Sequence, residues 1–103
     1  MILDVVKSVN NVPIRLTFER WFEHIVERHP YMKGFYDDVL KAIEEPEFIL
    51  RGHRGSKIGI CNVGRKQWLH VIYREINADD GFVIAAFIDE EYNKNLVIWQ
   101  SDK

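Results

Sequence analysis

Two histidines and an arginine crowd one short run, Trp21-Phe22-Glu23-His24-Ile25-Val26-Glu27-Arg28-His29-Pro30. An imidazole changes charge near neutral pH, whereas a guanidinium stays cationic and grips planar anions through paired hydrogen bonds. Together they suggest acid–base chemistry at a phosphate. Other chemistries find less support in the residue types. His24 and His29 lack the i, i+4 spacing of a zinc-protease helix, and a single cysteine cannot build a structural zinc cluster. The stretch Gly52-His53-Arg54-Gly55-Ser56-Lys57 hints at a phosphate loop but lacks the Walker spacing and does not lead into a helix. Serine and cysteine nucleophile signatures are absent as well. The expectation is chemistry that needs neither metal nor cofactor.

The charge distribution points the same way. The formal net charge is only −2, yet no Asp or Glu occurs from Phe48 through Arg74. That window holds Arg51, Arg54, Lys57, Arg65, Lys66 and Arg74 with His53 and His70, while the rest of the chain sets 16 acids against 8 bases. A near-neutral total can hide a basic face. On the run Trp68 to Glu75, strand alternation sends Trp68, His70, Ile72 and Arg74 to one face and Leu69, Val71, Tyr73 and Glu75 to the other. Arg51, Arg54, Lys57, Arg65, Lys66 and His70 are therefore candidate phosphodiester contacts, with Trp68 or Tyr73 for base stacking. The plainer alternative is a solvated hairpin surface balancing acidic helices, with Trp68 and Ile72 marking a core face.

These residues need elements to position them. Ile2 to Lys7 reads as a strand, closed by Ser8-Val9-Asn10-Asn11, and Pro13 to Leu16 leads into Thr17, a good N-cap. A helix then runs from Phe18 to the stop at Pro30, with Phe18, Trp21, Phe22, Ile25 and Val26 as its apolar stripe. With ordinary α winding, His24 and Arg28 fall at the stripe's edge, Arg20, Glu23 and Glu27 face water, and His29 continues the stripe. His29 is equally explained as an imidazole stabilised at a helix C-terminus. A second helix spans about Phe35 to Glu44 on Tyr36, Val39, Leu40 and Ile43.

After Pro46 the pattern turns to strands: Glu47 to Arg51, Lys57 to Val63, Gln67 to Ile76, Gly81 to Asp89 and Asn95 to Gln100, joined by short Gly- and Asn-rich turns. Short turns cannot join parallel neighbours, so these form an antiparallel meander. The expected architecture is α+β: two N-terminal helices packed on one face of a twisted antiparallel sheet of four to five strands, as a single domain over 1–103. An apolar fraction of 47% and a charged fraction of 29% are those of an ordinary globular chain. The start, Met1 to Asn11, carries Asp4 and Lys7 and reads as neither signal peptide nor membrane span, and the lone Cys61 suits a reducing compartment. The expected location is cytoplasmic, with no membrane contact; the oligomeric state is not legible.

The segments His24-Ile25-Val26-Glu27-Arg28-His29-Pro30, Tyr73-Arg74-Glu75-Ile76 and Asp80-Gly81-Phe82-Val83-Ile84-Ala85-Ala86-Phe87 together resemble small phage- and plasmid-associated domains of the barnase, EndoU, colicin and RelE-like ribonuclease superfamily. The resemblance spans most of the chain. It implies metal-independent RNA cleavage, often by the toxin of a toxin–antitoxin pair, with His24 and His29 as the helix histidines and Arg74 as the strand arginine. One departure stands out: where the resemblance implies threonine or serine in the next strand, this chain has Ala85 or Ala86.

The resulting expectation is an RNA endonuclease with His24 as general base, Arg28 and Arg74 holding the phosphorane charge, and His29 or His70 as general acid. RNA and a cognate antitoxin protein are the expected partners. A non-catalytic RNA- or protein-binding module is the alternative, and a third is an interaction domain that presents Trp99 and Tyr92.

Overall fold

The computed structural model describes residues 1–102. Seven strands form one sheet: β1 (Ile2–Lys7), β2 (Pro13–Thr17), β3 (Phe48–Arg51), β4 (Lys57–Gly64), β5 (Gln67–Asn77), β6 (Asp80–Asp89) and β7 (Val97–Gln100). Their spatial order is β1-β2-β6-β5-β4-β3-β7. Of the five strands expected to form a meander, four do so as β3-β4-β5-β6, paired antiparallel in sequence order, and the fifth does not follow β6. The class is α+β, but the expected two helices on a four- to five-stranded antiparallel sheet do not describe it.

Three features overturn that description. Pro13–Thr17 is a strand of its own, paired antiparallel with β1. It then meets β6 in a parallel pairing at Arg15 and Phe82. β7 returns to pair with β3, on the edge opposite β1. Of the two expected helices only α1 (Tyr36–Glu44) is a regular α-helix, entered through the 3-10 segment Pro30–Phe35.

The first helical segment, Glu19–Val26, is wound as a π-helix. The hydroxyl of Thr17 accepts from the Arg20 N–H at 3.1 Å, so the threonine holds the helix start as its residue type suggests. An i→i+5 turn takes more than four residues, so side chains four apart stand nearly one above the next. Trp21 and Ile25 form the buried row, while Phe18 and Phe22 form another, in mutual ring contact at 4.7 Å and 39% and 44% exposed. The five-residue apolar stripe expected of an α-helix is thus split by the wider winding.

The main core lies between the helices and one sheet face, where Leu69, Val71 and Tyr73 of β5 meet Trp21, Ile25, Met32, Val39 and Ile43. Gly59 of β4 lets α1 approach closely: a Cβ there would stand 2.2 Å from the Ala42 carbonyl oxygen. Cys61 is buried on the same face, and burial pushes its thiol above the ordinary range. The opposite face carries Phe48, Leu50, Ile58, Ile60, Trp68 and His70 by alternation and register. The segment after β6 covers it, with the Tyr92 ring 5.0 Å from Phe48 and 4.7 Å from Trp68.

A polar knot ties the β1–β2 hairpin to β5. The Glu75 carboxylate accepts from Ser8 Oγ at 2.5 Å and Asn10 Nδ2 at 3.1 Å, and pairs with Lys57 Nζ. Desolvation alone would raise this carboxyl, but the bonds from Lys57, Ser8 and Asn10 outweigh it and hold Glu75 below the usual carboxylate range. Among the described residues, no helix is long and apolar enough to cross a membrane.

Two substitutions test this packing. Gly59→Ala forces a methyl onto the α1 backbone and should destabilise by about 1–3 kcal/mol in urea unfolding, whereas Gly34→Ala, with nothing within 4 Å of the new methyl, should change little. The Tyr73 hydroxyl is buried without a hydrogen-bond partner. Removing an unpaired buried polar group relieves its desolvation, so Tyr73→Phe should leave the urea midpoint equal or raise it.

Candidate functional site

β2 leaves β6 after its single pairing at Phe82, so the far half of β6 has no strand on that side. The π-helix and the turn after it lie there instead. Tyr31 Oη accepts from the Ile88 N–H at 3.1 Å, which satisfies a backbone donor that a neighbouring strand would otherwise take. Between helix and strand lies a cleft of about 300 Å³ lined by Arg20, His24, Ile25, Arg28, His29, Ile84, Ala85, Ala86 and Phe87.

The wide winding explains the lining. Arg20 and His24, four apart within the π-helix, form one row along the cleft, and Arg28 joins it from the α-wound end of the segment, with Ile25 and His29 beside them. Arg20, expected to face water on an α-helix, belongs to the site because of this winding. His29 ends the helical run, its N–H donating to the Ile25 carbonyl at 2.9 Å before a non-helical backbone leads into Pro30. Its ring stands 5.5 Å from Tyr31 and 6.3 Å from Phe87.

Among the described residues, no carboxylate lies within ion-pair distance of Arg20, His24, Arg28 or His29. Guanidiniums left unpaired around a small cleft favour an anion, and Arg suits phosphate through its planar fork. Ala85 and Ala86 add only methyl groups to the wall.

The remaining sequence-derived candidates lie elsewhere. Arg74 does not line the cleft; its Nη2 donates to the Arg54 carbonyl at 2.9 Å and its Nε is buried without a partner. Arg51 and Lys57 are register partners at the same end of the sheet, where Lys57 is already paired with Glu75. Arg65 and Lys66 occupy the turn at the other end of the β4–β5 hairpin, both exposed. The acid-free window is therefore divided between two ends of a sheet and does not build one basic face. Trp99 is 37% exposed on β7, and Tyr92 is half-buried against Phe48 and Trp68.

His70 floors a separate, larger groove of about 1100 Å³ on the opposite sheet face. It is 6% exposed, and its ring stacks on Phe87 at 4.7 Å. Nδ1 lies 2.9 Å from the Trp68 carbonyl oxygen, an acceptor only, so Nδ1 carries the proton of the neutral ring and Nε2 has a free lone pair. Burial holds His70 below the ordinary imidazole value, against the opposing effects of the Trp68 carbonyl and the Asp89 carboxylate.

Compared with family models, curated proteins and solved structures, this chain matches none.

The His70 environment has a measurable consequence. The unfolded chain takes up a proton below about pH 6.5 that the folded imidazole resists, so folding stability should fall as the solution is acidified through that range. His70→Phe should flatten this part of the profile, read as urea midpoints at about pH 7.5 and about pH 5.5. An identical pH dependence in the variant would contradict the assignment.

Proposed function

We propose that this chain is a metal-independent RNA endonuclease whose active site is the cleft between the π-helix and β6. One observation carries the reading: two imidazoles and two guanidiniums, none paired to a carboxylate, line the same small cleft. The resemblance to the barnase, EndoU, colicin and RelE-like superfamily supports it, since that resemblance assigns His24 and His29 to the site.

The chemistry follows from the groups. Neutral His24 accepts the proton of a ribose 2′-hydroxyl as that oxygen forms a bond to the adjacent phosphorus. Arg28 and Arg20 hold the charge that builds on the non-bridging oxygens. The bond from phosphorus to the 5′-oxygen then breaks, and His29 gives a proton to the leaving oxygen, yielding a 2′,3′-cyclic phosphate and a 5′-hydroxyl. Arg74, bonded to the Arg54 carbonyl, stands outside the reacting set. On this reading the partners are RNA and a cognate antitoxin protein that restrains the nuclease, and the compartment is the cytoplasm, which suits the unpaired Cys61.

Ala85 favours a second reading. It lines the cleft in the strand where the resemblance implies a hydroxyl, and a site short of that group fits a module that holds RNA without cutting it. The two readings separate in one assay. Purified protein incubated with single-stranded RNA in EDTA should release cyclic-phosphate products, and His24→Ala should lower the rate by about 10²–10⁴-fold. Binding that weakens steeply with salt and yields no product identifies the module instead. Cleavage that EDTA abolishes, or that His24→Ala leaves unchanged, refutes the nuclease mechanism.

A further inference from the structure

The groove on the sheet face away from the helices takes no part in the proposed cleavage, and its chemistry is opposite in sign. Asp89, Glu90 and Glu91 follow one another along its rim, all exposed. Among the described residues none of the three has a cationic partner within ion-pair distance, although Lys94 lines the same groove. They do not converge as a metal-binding set either.

The second observation is His70. It is 94% buried and lines the groove, Nδ1 is engaged by the Trp68 carbonyl, and Nε2 has no hydrogen-bond partner among the described residues. Nε2 is not fully buried, so an N–H donor on a ligand seated in the groove can reach its lone pair. The walls are aromatic, formed by Trp68, Tyr92 and Phe87. Phosphate is excluded by three carboxylates, so the ligand is cationic, rich in N–H donors and able to stack.

We propose that this groove is a docking site for an arginine-bearing peptide segment of a partner protein, with the guanidinium stacked on Trp68 or Tyr92, donating to His70 Nε2 and paired with the Asp89–Glu91 carboxylates. A guanidinium fits all three demands because it is planar, permanently charged and carries five donors in a fork. Lysine meets the charge demand but lacks the planar, delocalised fork that lies flat on a ring while holding acceptors in its own plane. The groove volume also suits a short peptide rather than a single ion.

The test is a titration of isotope-labelled protein with acetyl-Arg-Arg-amide, followed by amide and indole NMR shifts. Saturable shifts should appear at Trp68, His70 and Tyr92. The exposed pair Glu90→Gln/Glu91→Gln should weaken binding by about tenfold or more through lost charge-assisted hydrogen bonds, and acetyl-Lys-Lys-amide should bind more weakly by a similar factor. Absence of saturable shifts, equal affinity in the glutamine variant, or equal affinity for the lysine peptide overturns the proposal. So does a single-stranded RNA oligonucleotide that saturates these same resonances. Because the catalytic histidines are not varied, the outcome is independent of whether the chain cuts RNA.

Discussion

The strand β6 needs its backbone hydrogen bonds satisfied on both sides, and β2 supplies only the beginning of one side. From Phe82 onward the edge has to be closed by something other than a strand. The π-helix and Tyr31 close it, and the cleft is the space left where a helix, rounder than a strand, meets the sheet edge. The same widening of the helix that splits the apolar stripe turns Arg20 and His24 to the cleft. Edge protection and site formation therefore have one structural cause.

Anchoring of the outer hairpin complements this arrangement. β1 and β2 are joined to the sheet proper by few backbone bonds to β6, so side chains carry much of the attachment. Glu75 gathers Ser8, Asn10 and Lys57, and Arg15 pairs with Asp80 while lying 5.6 Å from the Phe82 ring.

Much of the meander was legible because its strands announce themselves by period-two alternation and short turns. β4, β5 and β6 lie within a residue of the expected bounds. Pro13–Thr17 was not recognised as a strand because five residues beside a proline carry too little pattern, and its parallel partner is far away in sequence. The helix was legible in place but not in winding: Phe18, Trp21, Phe22 and Ile25 fit an α-helical stripe, and nothing local distinguishes that from an i→i+5 turn whose packing buries only Trp21 and Ile25. Arg20 was assigned to water for that reason. His24, Arg28 and His29 do share a cleft, because sequence neighbours on any helix stay close. Arg74, Arg65 and Arg51 are spread apart, since a charge count along the chain carries no information about which end of a strand each residue occupies. For His70, alternation located the face but could not reveal that the chain folds back over it after β6.

Phe87 is shared by two chambers, lining both the cationic cleft and the acidic groove, with its ring 6.3 Å from that of His29 and stacked on His70 at 4.7 Å. An occupant that tilted this ring would reshape the neighbouring chamber, and such linkage would be reciprocal by thermodynamic necessity. A single benzyl group is thus wall to both compartments.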